Sequence, residues 1–350
     1  MFKTKTVFVL GAGASAEARM PLGWELLEDV KARLDYRFEH HRRISGDNDL
    51  LEAIKDHWGR TNYPLYNRYI LEGHKIVGGA THAVSLDDLL YSIQTPEATW
   101  MGKLAIVRAI HQAEAKSLCS FNSDRDDIRK NLHSLRNTWY HFFFQIVAEG
   151  RQSTDRFRLF EGVSFINFNY DRTLENYLTH AVQNHYSLSA AAAREVAATV
   201  KVIRPYGMVG KLPWMPLDAC AAEFGCASAG TALEAFENVR TYTEQLEDSD
   251  AALLSIREEL QAAGRIVFLG FAFHRQNLEI LKAIIPETAD IVGTAMGFSL
   301  PDKLVLVDEL CSCFGLPEAS AMRLEPVTCA NFMAQNARVL TSTPSQRKVQ

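Results

Sequence analysis

"FVLGAGASAEARMPLGWEL", residues 8–26, opens with an apolar run, turns on Gly11 and Gly13, and meets Pro21 five residues after Ala16. The run from Gly11 to Ala16 satisfies GxGxx(G/A) directly after a strand-like segment. In that context small residues let the backbone approach a phosphate, and the following helix N–H groups receive its charge. A hydride-transfer dinucleotide domain would continue into a full helix and a second strand, ending on an acidic residue about 20 positions on. Here Pro21 interrupts the helix, and the segment from Asp29 to Asp35 reads as amphipathic helix instead. The turn is nucleotide-like; the unit behind it is not a dehydrogenase's.

Two further runs are apolar on consecutive positions, as strands buried on both faces are: Val163–Phe168 (VSFINF) and Arg265–Phe271 (RIVFLGF). Val200–Ile203, Ile291–Gly293 and Leu304–Val307 are weaker strand candidates. Helical patterns fill the intervals, notably Leu26–Leu34, Leu174–Leu178 and Leu233–Ala263. The alternation predicts an α/β fold: a Rossmann-like parallel sheet with helices on both faces. About 150 residues separate the first strong strand from the second, which predicts a large helical insertion over about 36–155. The expected organisation is one domain over 1–310, followed by a C-terminal extension and loose tail over 311–350.

The chain has 350 residues, 47% hydrophobic and 23% charged, with a net charge of −5, so it lacks the basic footprint of a nucleic-acid binder. The basic knot Arg37–Arg43 (RFEHHRR) reads as a solvated helix face. Neither a signal segment nor a membrane-length apolar run is visible, so a cytoplasmic protein without membrane contact is expected. Six cysteines form no CxxC pair, and no metal is expected.

A second polar constellation, "FINFNYDRTLENYL" at 165–178, delivers Asn167, Asn169 and Asp171 at a strand's carboxyl end, where open α/β sheets bind ligands. The competing reading is that Asn and Asp cap the helix beginning near Arg172. A third, "IVFLGFAFHRQNLEIL" at 266–281, ends its strand on Gly270.

GAGAS followed by MP and Trp, then NFNYDRTLE, then the strand ending near GFAFHRQNLEIL, resemble the bacterial sirtuin-like proteins, in the branch that hydrolyses NAD. The resemblance runs from about Val7 to Met296, and "VSLDDLLYSI" at 84–93 adds to it. It implies that Gly11, Ala12, Gly13 and Ser15 contact the NAD diphosphate and nicotinamide-side ribose. Asn169 and Asp171 would lie beside the ribose and nicotinamide, with Gly270 bordering the adenosine. Pro21 and Trp24 would shape a cofactor-covering loop.

Two departures qualify it. The zinc module of the deacetylases is missing, with only Cys220 and Cys226 in that interval. The family's His-Gly pair is replaced by Tyr206-Gly207, and a phenol is a poor base at neutral pH. Tyr206 could orient the ribose while Asn169 positions water; His180 or His185 could serve as base; or the site could bind NAD or ADP-ribose without turnover.

The resemblance thus implies an NAD hydrolase releasing nicotinamide and ADP-ribose, serving antiviral defence by depleting NAD once triggered. The alternative is a catalytically silent scaffold subunit that binds NAD or ADP-ribose. With about 50 residues after Leu300, the trigger is expected from self-assembly as a homo-oligomer, or from a partner such as a ring-forming ATPase or an Argonaute-like protein.

Overall fold

The apolar runs form the strands of one sheet. The structure, a computed structural model, describes residues 1–344 apart from 41, 122–124, 217–219, 227, 242–243, 245–249 and 318–321. Its strands are β1 (Thr6–Leu10), β2 (Phe38–Glu39), β3 (Arg42–Arg43), β4 (Val163–Asn167), β5 (Lys201–Ile203), β6 (Arg265–Leu269), β7 (Asp290–Thr294) and β8 (Met322–Glu325). Six of these make a parallel sheet in the order β5-β4-β1-β6-β7-β8, so the Rossmann-like α/β fold is present. β1 lies at its centre, and the chain builds outward on one side and then on the other. Leu10 is in register with both Asn167 and Leu269, which brings three carboxyl ends level.

The helices that precede β4 are α1 (Ala12–Ala16), α2 (Gly23–Leu34), α3 (Asn48–Trp58), α4 (Tyr63–Gly79), α5 (Leu86–Ile93), α6 (Pro96–Lys116), α7 (Arg125–Ser134) and α8 (Trp139–Ala148). Those that follow it are α9 (Thr173–His185), α10 (Ala190–Ala197), α11 (Ala229–Ala235), α12 (Ala251–Gln261), α13 (Arg275–Leu281), α14 (Leu300–Phe314) and α15 (Cys329–Thr341).

Strand alternation sorts the core into two layers. Val7, Val9, Ile166, Ile266 and Phe268 pack with α2–α6 and α11–α14; Phe8, Leu10, Phe165, Val267 and Leu269 pack with α8, α9, α10 and α15. The long interval after β1 is therefore helical, as expected, but it does not form a single insertion. Helices α2–α6 build one layer, whereas α8 drives Trp139 and Phe143 onto the opposite sheet face.

Several expectations change. Leu304–Val307 belongs to α14, not to a strand: Ser299 accepts from Asp302 N–H at its start, Gly315 ends it at φ 64°, and only Leu306 of the four residues is fully buried. The RFEHHRR knot is a small hairpin, with Phe38 opposite Arg43, not a helix face; His41 lies outside the described residues. The Leu233–Ala263 helix is divided between α11 and α12.

The boundary at 310 also fails. β8 pairs with β7, and α15 packs on α8. Arg265, 1% exposed at the start of β6, donates to the Leu340 carbonyl at 2.6 Å. The Glu17 carboxylate accepts from Trp139 N–H (2.7 Å) and Ala330 N–H (2.8 Å), tying the first turns of α8 and α15 to the end of α1. The described residues of 311–341 are thus part of the domain; of the expected tail, Thr341 closes α15 and 345–350 lie outside the described residues. Among the described residues no helix is long and apolar enough to cross a membrane, and no His, Cys, Asp and Glu group could hold a metal ion.

Candidate functional site

The site begins where β1 ends. Gly13 N–H donates to the Gly270 carbonyl at 3.0 Å, and Gly11 N–H to Leu269 O at 3.1 Å. A Cβ on Gly13 would stand 2.8 Å from Gly270 Cα, and one on Gly11 2.5 Å from Gly270 O. Gly270 itself has φ +56°, and its Cβ would lie 2.1 Å from Ala14 N. Three glycines are therefore required because two backbone turns touch. The expected phosphate cradle at Gly13 is occupied, on this side, by the chain's own β6 turn, and the Gly13 donor is already used.

The end of β4 is built differently. Asn167 Oδ1 accepts from Asn169 N–H at 3.0 Å, which turns the chain toward β1. The Asn169 amide then donates to the Gly11 carbonyl and to Ser15 Oγ, both at 2.9 Å. Gly11, Ser15 and Asn169 thus form one bonded group, with Ala12 as the first residue of α1. Both donors of the Asn169 side chain point into the protein, and its Oδ1 accepts no bond from any described residue, leaving it as the acceptor of the turn.

Asp171 stands one residue before Arg172, the N-cap of α9, where no side chain caps the helix; its Oδ1 accepts from Thr173 N–H at 3.0 Å and from the Thr173 hydroxyl. It is 3% exposed, and burial raises its pKa above the ordinary carboxylate range against the opposing Thr173 bonds and Arg204 charge. Thr173 Oγ1 also meets the Tyr140 hydroxyl at 2.8 Å. Through Thr173 and Tyr140, Asp171 is held rigidly at the start of α9.

Two ion pairs that sequence reading missed fix this turn from behind. Arg204 binds Glu175 through both carboxylate oxygens at 2.8 Å and donates to the Asn169 carbonyl at 2.6 Å. Arg172 and Glu114 are both fully buried; Arg172 Nε reaches Glu114 at 3.1 Å and its guanidinium also donates to the Ala222 and Glu223 carbonyls. One helix turn before Glu114, His111 meets the Val209 carbonyl at 2.6 Å. Burial and the Arg172 charge lower its pKa. Together these hold the loop after β5 against α6. Arg172 and Glu175 stood inside the NYDRTLE motif without an assigned role, whereas Glu114 and His111 carried no local signal.

Tyr206 lies on that loop, 7% exposed, with its hydroxyl donating to Asn277 Oδ1 of α13 at 2.7 Å. Its ring meets Phe168 edge-on at 5.7 Å between centroids, and Phe168 meets Phe271 at 5.0 Å. Aromatic contacts thus bridge the β4–β5 side to the β6 side in front of β1. Gly207, at φ +71°, is required by the Asn238 carbonyl, which its Cβ would approach to 1.9 Å.

The remaining candidates lie further out. Pro21 lines a cleft of about 590 Å³ with Arg19, Asp29, Arg33 and Lys116. Trp24 is 63% exposed on the first turn of α2. The alternative bases are carried away from the strand ends: at about 1.5 Å per residue, His180 is ~10 Å and His185 ~18 Å along α9 from Thr173. His180 lies under Phe121, at 4.3 Å between ring centroids, and His185 beside Phe144.

The architecture is that of a Rossmann-like α/β protein whose polar groups converge at the switch point of the sheet, where the strand order reverses about β1. No protein-family model, curated protein or solved structure matches the chain.

Proposed function

We propose that this protein is a sirtuin-like NAD hydrolase, cleaving NAD with water to nicotinamide and ADP-ribose, and that its crevice is held closed until a partner or assembly opens it. The observation that carries the reading is the free Oδ1 of Asn169, held at the switch point by an amide whose two donors are spent on Gly11 and Ser15. An acceptor fixed in that way suits a water or a ribose hydroxyl. In the reaction the glycosidic C–N bond breaks, the water oxygen bonds the ribose carbon, and one water proton is released. A cleft of about 460 Å³ at the carboxyl ends of β6 and β7, lined by Phe273, Phe298 and Asp302, suits a flat base and the hydroxyls of its ribose. Depletion of NAD in defence is the role that would follow from such an activity.

The test is nicotinamide and ADP-ribose release from NAD by purified protein, resolved by chromatography. Asn169→Ala should abolish release while costing about 1 to 3 kcal/mol of stability for its two lost bonds. Wild-type turnover by a folded Asn169→Ala protein would sink the assignment.

One observation favours the second reading, a silent NAD- or ADP-ribose-binding scaffold. The Tyr206 hydroxyl and the Gly13 N–H, expected to face the ligand, are both engaged within the chain. Calorimetric NAD binding without nicotinamide release, under any assembly condition, would favour it.

A further inference from the structure

Two surfaces on opposite faces of the sheet are unpartnered and match each other. The first is a groove of about 890 Å³ between α7, α8, α9 and α15. Its floor includes Phe144, Tyr177 and Met333, all buried side chains of the layer beneath. Its rim carries Arg129, His133 and Arg136 against Glu149, with Arg129 paired to Asp126 at 3.8 Å, so the cation the rim leaves over is Arg136. Arg136 is held only by the His133 ring, at 2.8 Å, and no carboxylate among the described residues neutralises it. A basic rim is unexpected on a chain of net charge −5.

The second surface is α14. This helix buries Leu306, Leu310 and Phe314 in the other core layer and presents Leu300 and Leu304, 69% and 63% exposed, outward. Residues four apart share a helix face, so Leu300, Leu304 and the exposed Asp308 form one stripe. The helix carries Asp302, Asp308 and Glu309 against Lys303; Glu309 is met by Arg275 of α13 at 3.6 Å, which leaves Asp302 and Asp308 as its acidic contribution. Leu300, Leu304 and Val305 thus form a small exposed apolar row on α14.

We infer that α14 of one copy seats in the α7–α8–α9–α15 groove of another. The convex side is apolar and acidic, and the concave side is apolar and basic. Because α14 belongs to one layer and the groove to the other, a single pairing cannot be reciprocal. The contact is therefore head-to-tail, which propagates into a ring or a filament and does not stop at a two-fold dimer. The inference uses nothing from the Asn169 turn, although Asp302 and Val305 of α14 also line the cleft at the carboxyl ends of β6 and β7, so docking would cover that cleft.

The test uses Leu304→Glu and Arg136→Glu, both at exposed positions, in the full chain, with sedimentation over a concentration series and thermal melts as the folding control. Wild type should grow beyond dimer with concentration. Each variant alone should melt like wild type yet associate more weakly by on the order of tenfold or more. An equimolar mixture of the two should recover association but stop at a one-to-one dimer, since only one intact helix faces one intact groove. A monomeric wild type, variants that assemble like wild type, or a mixture that stays monomeric would each overturn the inference.

Discussion

The glycine turn after β1 and the asparagine turn after β4 end adjacent strands at the same level, but they are held in different ways. The first is backbone against backbone: Gly11, Gly13 and Gly270 leave no room for a Cβ, and their contact is complete without any ligand. The second is side chain against backbone: the Asn167 and Asp171 oxygens accept from the Asn169 and Thr173 N–H groups, the Asn169 amide donates to the Gly11 carbonyl and the Ser15 hydroxyl, and Asn169 retains its own oxygen as an acceptor. A glycine motif can therefore be fully accounted for by packing, whereas the Asn169 oxygen is an acceptor that packing among the described residues does not use. It follows that substitutions at Gly13 cannot isolate nucleotide binding, since any side chain there first meets Gly270.

The sharpest way to break the comparison is Gly270→Ala. Its left-handed backbone and the 2.1 Å approach to Ala14 N leave no tolerable position for a methyl group. Folded protein should be lost, or destabilised by ~5 kcal/mol or more in urea titrations. A cost within ~1 kcal/mol would show that the turns do not need to touch, and would return the glycines to a ligand role.

On the asparagine side the corresponding test is Arg172→Met. Glu114 would then remain buried without its cation, at a cost of about 3 to 5 kcal/mol, while Arg172→Met combined with Glu114→Leu should recover much of it. A single variant as stable as wild type would mean that the buried pair does not anchor the turn.

What the sequence made legible follows this division. β1, β4 and β6 announced themselves as consecutive apolar residues, as did the weaker run at β7, because a strand buried on both faces leaves a local mark; β5, at the sheet edge with Lys201 exposed, was legible only as a short Val-Ile run. Leu304–Val307 misled because four consecutive apolar residues also wrap most of a helix; its outward Leu304 and Val305 reflect no core at all. β8, short and half-exposed at the sheet edge, has no such run. The glycine turn and Asn169 were visible as motifs beside strands. The Glu114–Arg172 pair was not, since partners 58 positions apart on a helix and a turn share no periodicity.

Acid tests the helix that the asparagine turn starts. Burial, with Arg194 nearby, lowers the His180 pKa to about 4 from an ordinary 6.5. Above pH 6.5 the ring is neutral in both states. Between 6.5 and about 4 the unfolded chain takes up a proton that the folded protein refuses, so stability falls over that window and levels off below it. The loss should reach about 1 to 3 kcal/mol, and His180→Leu should flatten that part of the stability-against-pH curve. Some slope should survive, because burial also lowers His111 and His141. An unchanged slope in the variant would remove His180 from the account.

The smallest expected effect is the one whose sign matters most. Tyr206 donates to Asn277 from one side of the switch point to the other, across the line joining the two turns. If that bond keeps the crevice closed, Tyr206→Phe and Asn277→Ala both loosen it, and nicotinamide release or NAD affinity should rise in each. If the phenol instead orients the ribose once the crevice opens, Tyr206→Phe should lower the rate while Asn277→Ala raises it by freeing the hydroxyl. One hydrogen bond of this kind is worth about 0.5 to 1.5 kcal/mol, so either change stays within roughly tenfold. Steady-state release measured on both variants separates the two roles, and rates equal to wild type in both would exclude Tyr206 from gating and from catalysis alike.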